Sequence, residues 1–305
     1  MDTSVTRNGL PPQPVMDALA SASAEAGLIA VGARLMRMHS NTVLYLPASN
    51  AVARINSGMT IDGARRVAAS LTATQWLAQQ GFPTVRPKVN RVVDRDGLVV
   101  SFWEHEQTVA RGRSLTALAR LLRKLHSFRD VALDLPPMPS PLLGVEQALH
   151  HHPEAFDGNN RDWLSNEISD RQHRWAGMKF TLPAGLVHGD AHPNNLLYTK
   201  HGILLGDWDH VGYGPREWDL VQAVYFHRRF PAPGDDLDGA ARVYGWDLRG
   251  WSGADDLIGI REVSGLGSYI RTAAAKPDAR TELAYRIMTL RERDITAPWN
   301  SPSRS

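Results

Sequence analysis

The chain has 305 residues, 43% of them hydrophobic and 22% charged, with a formal net charge of +2. That balance is ordinary for a soluble globular protein, and the length calls for one large or two coupled domains. Having no cysteine, the chain is excluded from disulfide formation, thiol catalysis and thiolate metal binding. No Lys/Arg block is long enough to suggest a nucleic-acid partner. Neither a basic-then-apolar leader nor an 18-residue apolar run appears, so the expectation is no membrane association and residence in the cytoplasm.

In chain order, residues 1–14 read as a proline-containing lead-in and Val15 to Glu25 as an alanine-rich helix. Thr42 to Leu46 and Ala51 to Ile55 read as strands around Pro47-Ala48-Ser49-Asn50. Residues 62–80 form a helix started by Asp62 and stopped by Gly81 and Pro83. Val89 to Val93 and Leu98 to Trp103 flank Asp94-Arg95-Asp96-Gly97 and read as a hairpin. Leu115 to His126 has leucines at helical spacing. Leu135 to Pro141 is a proline-rich linker, residues 144–176 are mostly helical, and the last helix runs from about Ala279 to Arg293.

Most of the functional information lies between Leu186 and Leu220. His188-Gly189-Asp190 is followed five residues after the aspartate by Asn195. An apolar run (Ile203, Leu204, Leu205) then delivers Asp207-Trp208-Asp209. Asn195 to Tyr198 and Ile203 to Gly206 flank Thr199-Lys200-His201-Gly202, a hairpin signal. With His201 as the centre, Asn195 and Asp207 would face one another across the pair, with Cβ atoms roughly 5 Å apart. An amide oxygen and a carboxylate so placed can share Mg²⁺, a hard ion that takes oxygen ligands at about 2.0–2.1 Å. Asp190, on the loop entering the hairpin, is then free to orient a hydroxyl nucleophile. These residue types suit phosphoryl transfer, where positioning and charge neutralisation do nearly all of the work.

The segment resembles the aminoglycoside phosphotransferase and choline kinase group, small-molecule kinases related in fold to protein kinases. The motif of that group is H-G-D-x-x-x-x-N, then a hydrophobic strand and D-x-D or D-W-E. His188, Gly189, Asp190, Asn195 and Asp207 fall on it, and Gly212 to Pro215 and Trp218-Asp219-Leu220 are also similar. The resemblance is specific over about 35 residues and extends coarsely over residues 28–226. It implies an α+β, bilobal protein-kinase-like fold. Residues 1–104 would be a small antiparallel-sheet N-lobe and residues 105–305 a mainly helical C-lobe. ATP or GTP would bind between the lobes as co-substrate with Mg²⁺ on Asn195 and Asp207. Asp190 would be catalytic, and the adenine hinge would fall at Phe102-Trp103-Glu104-His105, giving Trp103, Glu104 and His105 as nucleotide contacts.

The chain also departs from the group. Its five lysines begin at Lys88, so the N-lobe has no lysine to clamp phosphate; Arg54 occupies that position and can grip phosphate bidentately. Between Ala26 and Val93 the only acid is Asp62, and Ser70 stands where the helix glutamate usually pairs with the clamp. Arg37 to Thr42, at the phosphate-covering loop, contains no glycine. His188, His192 and Asp209 are supporting candidates, Asp209 for a second metal or as a brace. Asp219 is read as a helix cap, and the resemblance implies that it also supports the catalytic loop, a structural role. Acids gather at Asp235, Asp236, Asp238, Asp255, Asp256 and Glu262; lining the cleft, they would favour a cationic acceptor such as an aminoglycoside or aminosugar. Two other readings stand beside the kinase. One is a catalytically silent nucleotide-binding homologue, motivated by the missing glutamate. The other is a metal-dependent hydrolase built on His188, Asp190 and His192.

Overall fold

The computed structural model describes residues 11–38, 41–56, 61–129, 131–156, 158–273 and 276–300, excepting the side chains at 61, 62 and 277. The first elements are α1 (Gln13–Glu25), β1 (Arg34–Met38), β2 (Asn41–Leu46), β3 (Ala51–Asn56), α2 (Ile61–Gln79), β4 (Val93–Arg95) and β5 (Leu98–Glu104). Next come α3 (Leu115–Leu125), α4 (Leu143–His151), α5 (Gly158–Gly177), β6 (Gly185–Val187), β7 (Leu196–Thr199), β8 (Gly202–Leu205) and β9 (Gly212–Gly214). The chain finishes with α6 (Glu217–Arg229), α7 (Leu237–Tyr244), α8 (Ala254–Ser264), α9 (Leu266–Ala273) and α10 (Pro277–Arg291). Two compact units result: residues 1–111, 130–136 and 195–212 in one, residues 112–129, 137–194 and 213–305 in the other. The α+β architecture expected from the resemblance is present.

The first unit is a five-stranded antiparallel sheet in the order β1-β2-β3-β5-β4. Strand alternation decides what each face carries. In β3, Ala51, Ala53 and Ile55 are buried while Val52 and Arg54 between them are not, so the arginine leaves by the face opposite the core. α1 covers the core face, with Val15, Leu19 and Ala22 packed among Leu44, Leu46, Ile55, Val100 and Phe102. Each large apolar side chain so buried contributes about 1.5–3 kcal/mol. α2 stops at Gly81, whose φ of +69° is the left-handed conformation that glycine adopts without strain.

The β4–β5 hairpin is shorter than the sequence suggests. Its first strand begins at Val93 instead of ending there, and Arg95 pairs with Leu98 across a two-residue turn. Asp96 and Gly97 both have positive φ (53° and 79°), the turn whose twist matches that of the strands it joins. β7 and β8 form a second hairpin in this unit, held to the end of α2 by Leu205 N–H donating to Pro83 O at 3.0 Å and Val85 N–H to Leu205 O at 3.3 Å.

The second unit is mostly helical. α3 begins at Ser114, whose hydroxyl accepts the Ala117 N–H at 3.2 Å, and buries all of its leucines. α6 is buried on nearly every side, polar residues included, as the central helix of such a unit must be. Around its C-terminal half, Tyr225, Phe226 and Trp299 pack with Phe230 and Tyr285. β6 pairs with β9 as a two-stranded ribbon. No helix among the described residues is long and apolar enough to cross a membrane.

Candidate active site

In the first unit the site is built on the β7–β8 hairpin. Leu196 pairs with Leu205 and Thr199 with Gly202, so the turn is Lys200-His201. The centre therefore lies between those two residues and not on His201. Gly206 N–H donates to Asn195 O at 3.0 Å, which makes Gly206 the partner of Asn195 and leaves Asp207 one residue beyond. This corrects the direct cross-strand pairing of Asn195 with Asp207 expected above. A half-residue change of centre shifts the register by one and moves every facing pair.

Asp207 also departs from extended backbone. It adopts φ 65°, a left-handed conformation that Asp tolerates better than most residues. Trp208 is the wedge that separates the two acids. It is 1% exposed, sits edge-on to Phe82 at 5.9 Å and donates its indole N–H to Leu205 O at 3.0 Å.

Asp207 and Asp209 converge on Arg54. Its Nη2 donates to Asp207 Oδ1 and to Asp209 Oδ2, both at 2.6 Å. With its amide oxygen turned toward the guanidinium, Asn41 accepts from Arg54 Nε at 2.9 Å. Arg37 Nη2 stands 3.7 Å from Asp207 Oδ2. Burial works against the Arg54 charge, but the Asp209 and Asp207 carboxylates outweigh it and hold the guanidinium above its usual range. Burial pushes the Asp209 carboxyl up, partly offset by Arg54 and reinforced by the neighbouring Asp207. The acid missing from α2 is thus supplied twice over by the Asp-Trp-Asp segment. Ser70 is buried, its hydroxyl without a hydrogen-bond partner; the Asp62 side chain, and His39-Ser40 of the covering loop, lie outside the described residues.

At the hinge, Trp103 is 8% exposed and donates its indole N–H to Ser101 Oγ at 3.0 Å. The Glu104 N–H goes to Arg86 O at 2.9 Å and the His105 N–H to Asn50 O at 3.4 Å. The His105 ring lies 4.1 Å from that of Tyr45.

In the second unit the loop carrying Asp190 is fastened to the first turn of α6. The Asp219 carboxylate accepts the N–H groups of His188 and Gly189, each at 2.8 Å. Trp218 donates its indole N–H to Gly189 O at 2.7 Å. Asp219 is therefore not the cap of α6, which begins at Arg216 without a side-chain cap; the residue is spent on the loop. His126 of α3 completes the clasp, with Nε2 3.1 Å from Asp219 Oδ2 and Nδ1 2.9 Å from the Tyr244 hydroxyl. His188 is fully buried, and its Nδ1 accepts the Asp190 N–H at 3.3 Å.

The Asp190 carboxylate is 31% exposed, with His192 Nε2 3.5 Å from its Oδ2 and Arg261 Nη2 3.7 Å from its Oδ1. The His192 ring rests on Phe226 at 5.0 Å. Gln222, on α6, donates to Asp190 Oδ1 at 3.5 Å. Sequence reasoning missed Asn41, Gln222 and Arg261. Gln222 is a lone polar residue in an apolar helical stretch, which signals a buried partner without naming it.

The acids expected to attract a cationic acceptor are largely engaged within this unit. Asp235 is paired with Arg113, Asp238 with Arg249, Asp256 with Arg174 and Glu262 with Arg229. Asp236 caps α7 by accepting the Gly239 N–H. Among the described residues no group of three or more His, Cys, Asp or Glu side chains could hold a metal ion, which removes the support for the hydrolase reading.

A model of the phosphotransferase enzyme family (APH) matches residues 34–257, and the chain belongs to that family. The match reaches past residue 226, where the sequence resemblance ended, to take in α7 and the start of α8. By family and fold the protein is a small-molecule kinase. Among solved structures it is similar to an amicoumacin kinase in complex with AMP-PNP and Ca²⁺, with TM-score 0.67, 14% identity and coverage of 93% of this chain and 95% of that one. It is also similar to a microcompartment-associated aminopropanol kinase, with TM-score 0.64, 16% identity and coverage of 89% and 94%. A third is aminoglycoside phosphotransferase APH(3'')-Id from Streptomyces rimosus in complex with ADP and streptomycin, with TM-score 0.57, 13% identity and coverage of 83% and 99%. Comparison with curated protein sequences returned no match.

Proposed function

We propose that the protein transfers the γ-phosphoryl group of ATP or GTP to a hydroxyl of a small molecule. The observation that carries this reading is the ordered Asp190 loop, with its carboxylate partly open to solvent and its backbone clasped by Asp219. Asp190 orients the acceptor hydroxyl and takes its proton as the new bond to phosphorus forms. Asn195 and Asp207 hold Mg²⁺. Their donors are an amide and a carboxylate oxygen, and such an ion is completed by phosphate oxygens and water without a dedicated protein cage. Bound there, the ion neutralises the charge that builds on the transferring phosphoryl group. Arg54 contacts phosphate from β3 and keeps Asp207 and Asp209 aligned; Asp209, His188 and His192 support the site. Trp103, Glu104 and His105 form the nucleotide edge, although the backbone donors of Glu104 and His105 are already satisfied within the chain. Residues 1–104 would cover the nucleotide and residues 105–305 would carry the catalytic loop and the acceptor-binding helices.

An aminoglycoside or aminosugar is the acceptor class to test first. The acids of the C-terminal third are largely engaged by arginines and lend that class little charge. What supports it is the presence of aminoglycoside and amicoumacin kinases among the similar structures. The silent-homologue alternative rested on the missing glutamate, and Arg54 has two carboxylates instead. The deciding experiment is ATP and GTP consumption with Mg²⁺ across aminoglycosides, aminosugars, choline-like alcohols and nucleosides. Acceptor-dependent ADP or GDP formation is expected. Nucleotide binding with no turnover over the whole set would instead favour the silent homologue.

A further inference from the structure

Two polar side chains in the second unit stand behind Asp190 and belong to neither the motif nor its clasp. Gln222 is fully buried on α6. Its amide oxygen accepts from Arg261 Nε at 2.7 Å, and its amide nitrogen donates to Asp190 Oδ1 at 3.5 Å. Arginine can only donate and a carboxylate can only accept, so the amide between them has a single workable orientation. Arg261 is itself immobilised. Its side chain is 12% exposed, its Cζ lies 4.4 Å from the centre of the Tyr225 ring, and Tyr225 is 3% exposed. Its Nη2 lies 3.7 Å from the same Asp190 oxygen that Gln222 reaches.

The geometry points to Arg261, acting through Gln222, as the positioning residue of the catalytic carboxylate. Arg261 sits on α8, 71 residues beyond the aspartate and outside the His-Gly-Asp and Asp-Trp-Asp motifs. One Asp190 oxygen is then held by the Gln222 amide and the Arg261 charge, and His192 stands at the other. Asp190 contacts of 3.5 and 3.7 Å are long, as catalytic hydrogen bonds commonly are before substrate binds. A carboxylate whose rotamer is preset need not be ordered at the moment of reaction, so the benefit falls on turnover and not on nucleotide binding.

This inference rests on Asp190 as the base, and the test separates the two. Urea unfolding of wild type, Asp190→Asn, Arg261→Met and the double variant reads the contact without an acceptor. The combined effect on the unfolding constant should depart from additivity by about three- to thirtyfold. In the Arg261→Met background, Asp190→Asn should stabilise, because it discharges a carboxylate left without its counter-charge. Phosphate release from Mg·ATP, with water as acceptor, reads the catalytic effect. Arg261→Met should lower kcat about tenfold or more while KM for ATP stays within about twofold, and Arg261→Lys should restore most of the loss, since it keeps the charge over Tyr225.

Additive unfolding constants, or a folded Arg261→Met with wild-type kcat, would overturn the inference. So would a loss that Arg261→Lys leaves unrepaired, since that marks a packing role. Should Arg261→Met fail to fold, Gln222→Glu gives the same reading: it keeps the bond to Arg261 and turns a second carboxylate on Asp190, so kcat should fall, and an unchanged kcat overturns the proposal. If Asp190→Ala retained full turnover, the base assignment would fail by itself, while the unfolding cycle would still report the contact. Where hydrolysis by water is too slow to read, the cycle alone decides.

Discussion

The loop before Asp190 is held by backbone bonds to Asp219 and the Asp190 carboxylate is 31% exposed, so its removal should be felt in chemistry and not in folding. Asp190→Ala is expected to cut turnover by about 10²–10⁴, the usual scale for a positioned general base, with nucleotide affinity unchanged. For the metal ligand, Asp207→Asn is the cleaner substitution, because Asn tolerates the left-handed backbone at φ 65° and alanine does not. It should weaken Mg²⁺-dependent nucleotide binding far more than metal-free binding in calorimetric titration, with Asn195→Ala showing a smaller loss. Equal affinities would argue against the role. Arg54→Ala leaves two carboxylates without their common partner, and should raise KM for ATP and lower kcat together. Arg54→Lys should fall between, since one nitrogen makes both carboxylate contacts but the bond from Nε to Asn41 is lost.

At the scale of the element, two turns separate folding from function. Gly97 closes the β4–β5 hairpin at φ +79° with nothing within 4 Å of where a Cβ would stand. Gly97→Ala therefore carries backbone strain alone, about 1–2 kcal/mol, and should lower Tm by several degrees while kcat and KM hold. Asp219→Asn is the opposite case. It weakens an acceptor that serves two backbone donors in a fully buried place, and a buried donor left unsatisfied costs about 1–3 kcal/mol. Stability and kcat should both fall, measured by urea unfolding and steady-state rates; loss of neither would show that α6 does not hold the loop.

For the whole molecule, alkaline pH offers a test of how well the helical unit is packed. Burial pushes the Tyr269 hydroxyl up to about 12, and Tyr225 and Tyr244 are raised by the same cause. A raised folded pKa stabilises the fold fully below the unfolded value, 10.0 for Tyr. That contribution fades as pH climbs through the folded values. These three tyrosines should ionise above the ordinary tyrosine range, and the stability they contribute should be lost over the same interval. A spectrophotometric titration should show these three ionising late, in step with loss of far-UV circular dichroism. Ionisation of these three in the ordinary tyrosine range, with the far-UV signal intact, would contradict that packing.

What could be read from the chain alone was whatever short-range chemistry specifies. The strand after Pro47-Ala48-Ser49-Asn50 put Arg54 at the clamp position, Asp-Gly marked the hairpin turn, and the leucine spacing marked α3. The run from His188 to Asp209 carried the family's motif in one contiguous segment. The limit showed wherever one residue of register or a distant partner mattered. The hairpin centre lies between Lys200 and His201 because backbone pairing sets it, and composition does not fix pairing to a single residue. The counter-charges of Arg54 come from 153 and 155 residues away, so a search of the adjoining helix could not find them. The acids of the C-terminal third resembled a binding surface until their arginine partners were in place. Burial makes an unpaired charge costly, and only the tertiary structure decides which charges meet.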